Sequence, residues 1–232
     1  MVQAKTAARD RFVDRGRRLE YFTIFWNTLE ALAALIAGLM AGSVALVGFG
    51  LDSLIEVTSG VALLWRLGQD KSIHRRDQAE RLTLRIVESC FLLLSAYLAY
   101  HSLDSLARRQ APTRSLPGIV IAVGSVIAMP LLARAKRRVS VGLGSAAMAA
   151  DARQADFCMY LSAILLAGLG LNALFGLWWA DPIAALVMVP IIAREGISAW
   201  RGKTCCDTCE LQHAVDAAFR ISQGQDENAR VQ

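Results

Sequence analysis

The 232-residue chain is 55% hydrophobic and only 19% charged, whereas soluble domains are closer to one-quarter charged. Its formal charge of +5 does not point to nucleic acid, because most basic residues flank long apolar stretches, where Lys and Arg set membrane orientation. The composition therefore argues against a soluble enzyme or a nucleic-acid binder and predicts an all-α integral membrane protein.

Residues 1–19 form a basic arm holding Lys5, Arg9, Arg11, Arg15, Arg17 and Arg18. They lack the apolar run that a cleavable signal peptide carries. From Tyr21 to Arg66 the chain is apolar except at Asn27, Glu30, Asp52 and Glu56. That stretch is too long for one crossing of a core about 30 Å thick at about 1.5 Å per residue. The small residues Ala41-Gly42-Ser43 predict the break, giving helix 1 over 21–41 and helix 2 over 44–66. A polar, basic segment spans 67–85. Helix 3 is expected over 84–103 and helix 4 over 117–133, ended by Pro130 and the run Arg134, Lys136, Arg137 and Arg138. Helix 5 follows over 145–171, then a turn from 172 to 182 whose Trp178 and Trp179 suit a membrane interface. Helix 6 covers 182–200.

The prediction is six transmembrane helices over 20–200 and a short tail over 201–232. Four basic segments fall on one face, against Arg108, Arg109 and Arg114 on the other. By the positive-inside rule both termini are expected in the cytoplasm.

Several polar residues fall in or at the ends of these spans: Glu20, Asn27, Glu30, Asp52, Glu56, Asp151, Gln154 and Asp156. A carboxylate at a helix centre costs about 2.5–3.5 kcal/mol on insertion scales, so it needs a partner. Asp52 and Glu56 are i, i+4 and stack on one face of helix 2. Asp151, Gln154 and Cys158 fall within about 60° of arc on helix 5, whereas Asp156 lies about 140° from Asp151. Counted along antiparallel helices, Asp52 sits about 12 Å from one surface and Gln154 about 13 Å from the other, so both approach the midplane. Oxygen donors joined by one cysteine suit a borderline divalent ion such as zinc.

Polar groups in membrane helices also serve as interhelical hydrogen-bond glue. That accounts for Asn27, Gln154 or Cys158 taken singly. Two stacked anions instead demand a cation, a proton or an arginine, and Arg153 on helix 5 offers the structural alternative. Glu20, Asn27 and Glu30 share about 80° of helix 1. They either line a cytoplasmic approach or hold neighbouring helices. In the tail, Cys205, Cys206, Cys209 and His213 match zinc-ligand spacing, with plain reduced thiols as the other reading.

Three stretches then carry a resemblance. Gly42-Ser-Val-Ala-Leu-Val-Gly-Phe-Gly-Leu-Asp-Ser-Leu-Ile-Glu56, Ala150-Asp-Ala-Arg-Gln-Ala-Asp-Phe-Cys158 and Trp178-Trp-Ala-Asp-Pro-Ile-Ala-Ala-Leu186 are similar, in order and topology, to signatures of the cation diffusion facilitator family of metal/proton antiporters. The resemblance covers roughly residues 20 to 200. It places metal ligands on Asp52 and Glu56, and puts Gln154 and Cys158 where the family carries His and Asp. This departure leaves Asp151, one turn inward, to supply a missing carboxylate. The family's usual cytoplasmic metal-binding domain is not expected after helix 6, so a homodimer would be held by membrane helices or the tail.

The resemblance implies efflux of divalent transition-metal cations by proton antiport and alternating access. Zinc is the first choice, with cobalt, nickel, manganese and iron left open, and no prosthetic group is implied. Asp52, Glu56, Asp151, Gln154 and Cys158 form the expected metal site, and Glu20, Asn27, Glu30 and Asp156 the pathway. The expected setting is a cell membrane, specifically a bacterial inner membrane. The alternative is a metal-binding membrane sensor or scaffold without turnover. No enzyme is expected, since the chain has no paired nucleophile and base, no H-E-x-x-H and no glycine-rich phosphate loop.

Overall fold

A computed structural model describes residues 2–68, 73–143 and 146–200. These form six helices: α1 (Val2–Ala41), α2 (Val44–Gly68), α3 (Ile73–Ala107), α4 (Leu116–Leu143), α5 (Ala146–Phe175) and α6 (Ala180–Trp200). The described residues contain no strand. Five of the helices hold stretches long and apolar enough to cross a membrane, within 12–41, 44–62, 89–107, 116–142 and 151–175. The exception is α6, which carries Asp181, Arg194 and Glu195. The tail residues Cys205, Cys206, Cys209 and His213 lie outside the described residues.

Three helices, α1, α3 and α4, run well past the spans expected from sequence. The basic arm is the first part of α1, whose 40 residues extend about 60 Å, twice a hydrocarbon core. Its Ala, Arg and Lys residues favour helix, so the loss of apolar character marks a change of solvent and not a helix end. The same holds at the start of α3. In α4, the expected stop at Pro130 and the basic run is corrected: the helix continues to Leu143 with Pro130 inside it. Packed neighbours re-satisfy the backbone group that a proline frees, so a proline need not end a membrane helix.

The helix ends at one pole are built from local chemistry. After α1, Gly42 takes a φ of 66° and the Ser43 N–H donates to the Gly38 carbonyl at 3.0 Å, a left-handed turn that glycine adopts without a Cβ penalty. The three connections at this pole are tied together. Thr113 N–H donates to Ala41 O at 2.8 Å, and Asn172 Nδ2 donates to Pro112 O at 3.1 Å. Asp181, in the first turn of α6, accepts from the Ser43 hydroxyl and, at 2.9 Å, from the Val44 N–H. A buried carboxylate thus sits at the N-terminus of α2, where the helix dipole favours negative charge.

The closest helix pairs are α4 with α5, α1 with α2 and α3 with α6, with α1 also against α4 and α2 against α5. At the α1–α2 crossing the backbones approach closely. A Cβ on Gly38 would lie 2.8 Å from the Val47 side chain and 2.9 Å from its backbone nitrogen. Gly38→Ala is therefore expected to lose about 1–3 kcal/mol through overpacking, whereas Gly170→Ala, which meets nothing within 4 Å, should leave thermal unfolding in detergent unchanged.

The distribution of polarity runs inside out. Leu39, Met40, Leu93, Val120 and Leu174 are 70–81% exposed, while Glu20, Asn27, Glu30, Asp52, Glu56 and Lys136 are buried. Such a surface is stable only against lipid, where an apolar exterior costs nothing and polar groups turn inward.

Candidate metal centre

The α1–α2 hairpin and α5 bring the principal residues together. Asp52 and Glu56, one turn apart on α2, meet Cys158 of α5, and one ligand atom from each lies within 4.8 Å of the others. All three residues are buried. Neither oxygen of Asp52, nor Oε1 of Glu56, has a hydrogen-bond partner. The second Glu56 oxygen accepts from Asn27 Nδ2 at 2.6 Å, which orients the carboxylate from α1. Arg153, the structural counter-ion considered from sequence, is exposed.

Glu30 gives the contrast that decides between ligand and glue. It is as buried as its neighbours, yet its two oxygens accept from the hydroxyls of Ser53 at 3.1 Å and Ser125 at 2.7 Å. Glu30 thus joins α1, α2 and α4, as interhelical polar groups do. Buried carboxylates without such partners are costly, and three donors converging on one point is the arrangement a cation would satisfy. Two hard oxygens and one sulfur fit a borderline divalent ion.

The other residues expected at the centre are placed around it. Gln154 Oε1 accepts from Ser59 at 3.3 Å, and its buried Nε2 has no partner. Asp151 is not among the three convergent donors. It is held by Lys136 of α4, which also lies 3.4 Å from Glu20 of α1. Asp156 forms an ion pair with Arg137 at a more exposed position, the two side chains being 26% and 57% exposed. Of the expected pathway residues, Glu20, Asn27 and Glu30 are all buried along α1.

Sequence reasoning missed the roles of Lys136 and Asp181. Lys136 is 1% exposed, although Arg134, Arg137 and Arg138 around it are exposed. The signal was its phase: Ser125, Met129, Leu132, Lys136 and Val139 follow one another at helical spacing and all are buried.

On the side of the centre toward the tied turns, Leu46, Phe49, Leu98, Leu161, Leu165 and Met188 form a dry core. Toward the opposite pole the polar side chains Asn27, Gln154, Glu20, Lys136 and Asp151 stand one after another beside buried Val139, Met148 and Ala152. The centre thus lies between an apolar core on one side and, on the other, a succession of polar side chains, called the polar lane below.

Residues 21–201 match the family model described as the cation efflux transmembrane domain. No curated protein matches the chain.

Proposed function

Because the chain belongs to the cation efflux family, and is thereby a multi-pass membrane protein that transports cations, we propose that its cargo is a divalent transition metal, zinc first, exchanged for protons. The observation carrying this reading is the buried trio of Asp52, Glu56 and Cys158 with carboxylate oxygens that lack partners. The polar lane faces the cytoplasm in this proposal. Both termini lie there, in keeping with the basic arm and the basic run on α4.

Metal enters along the lane, binds at the centre, and leaves when the apolar core parts and the lane closes. Ligands must be deprotonated to bind a metal, so each ion bound displaces protons and each proton taken up promotes release. The sign follows: zinc affinity falls as pH falls. Proteoliposomes holding a pH dye and a zinc dye test the coupling. Zinc moving one way with protons moving the other supports antiport. Zinc binding with neither flux would identify a sensor and overturn the proposal.

A further inference from the structure

The ion cluster at Lys136 has no part in the centre, yet it stands across the polar lane. Lys136 comes from α4, Glu20 from α1 and Asp151 from α5, and their side chains are 1%, 0% and 11% exposed. The ammonium pairs with Asp151 and lies 3.4 Å from Glu20 Oε1 and 3.5 Å from Oε2. Glu20 and Asp151 thus share a single ammonium.

Helical rise fixes the level of the cluster. Asp151 precedes Cys158 by seven residues on α5, about 10 Å along the axis. On α2 the matching level is Gly60, where a Cβ would lie 3.7 Å from Glu20 Oε2, four residues and about 6 Å beyond Glu56. Between cluster and centre, the fully buried Asn27 presents an Oδ1 without a partner, and Gln154 an Nε2 without one. Unpartnered polar atoms thus line the interval.

The charge balance is uneven. Two carboxylates face one ammonium, and a buried ion pair is weak support for stability because desolvation offsets much of the Coulomb attraction. An apolar trio would join α1, α4 and α5 at least as well. What the cluster does provide is a cation-binding carboxylate pair already occupied by a tethered cation.

We infer that Glu20 and Asp151 form a second cation station on the cytoplasmic side of the centre, and that Lys136 is its gate, an ammonium that a passing divalent ion must displace. This inference rests on the transport reading of the Asp52 centre. Lysine suits the role as a compact charge on a flexible stem, which arginine, with its planar, bidentate fork, is not.

Zinc titration of the purified full-length chain tests the station. Lys136→Met leaves two carboxylates with no cation, and its stoichiometry should rise by one zinc per chain over the unsubstituted protein. Adding Glu20→Gln and Asp151→Asn should remove that extra ion. A folded Lys136→Met protein with unchanged stoichiometry overturns the inference. The extra ion should persist in an Asp52→Asn/Glu56→Gln background, so failure of the centre and failure of the station are read separately. Should Lys136→Met not fold, Lys136→Arg decides. It keeps the charge and is expected to slow zinc transport about tenfold or more at unchanged stoichiometry and centre affinity. Transport at the original rate overturns the gate.

Discussion

Asp52→Asn combined with Glu56→Gln is expected to reduce zinc transport at least about a hundredfold, since even partners that only orient metal ligands are worth about 10–100-fold. The same variant should hold or raise its thermal unfolding temperature. Both substitutions keep side-chain volume and remove a charge, and the amide oxygen at position 56 can still accept from Asn27. If these carboxylates were structural, the result would run the other way, because removing one member of a satisfied buried network leaves its partners stranded. Glu30→Gln supplies that comparison, since Ser53 and Ser125 both donate to Glu30. Loss of transport with retained stability at 52 and 56 is what a site strained for its cargo should give. A fall in unfolding temperature, with transport intact, would remove both positions from the site.

What was legible in the sequence depended on the kind of signal. Asp52 and Glu56 stood out because two carboxylates four residues apart in an apolar run repel each other unless a cation or proton joins them, and Cys158 because its phase on α5 points the same way. Helix number was legible from apolar length alone. The ends of α1, α3 and α4 were not, because hydropathy reports where lipid stops, whereas the backbone continues as long as helix-forming residues do. The difference in α4 has a functional consequence. With α4 ended at residue 133, Lys136 becomes a surface charge and Asp151 is left free to complete the metal site. Once α4 continues in phase, Lys136 turns inward and takes Asp151 with it. Asp181 falls within the motif that opens α6, but its role was not legible, since its partners Ser43 and Val44 lie 138 and 137 residues away in the chain.

Cys158 is where the centre departs from an all-carboxylate set, and Cys158→Ser is expected to change both affinity and proton release. A free thiol has a pKa near 8.5 and is mostly protonated at neutral pH, whereas the metal ligand is the thiolate. Zinc binding to the unsubstituted centre must therefore expel the thiol proton, along with any held by the carboxylates. In Cys158→Ser the hydroxyl remains protonated, so release should fall by about one proton per zinc and zinc affinity by about tenfold or more. Titration calorimetry in buffers of different ionisation enthalpy measures both. Cysteines in the tail contribute equally to the two proteins and cancel in the difference. Cys158→Asp carries the argument to selectivity, because a third carboxylate hardens the site and should move preference from zinc toward manganese. Unchanged proton release in Cys158→Ser would reduce Cys158 to a small buried apolar side chain, and the centre to two oxygens that suit no transition metal in particular.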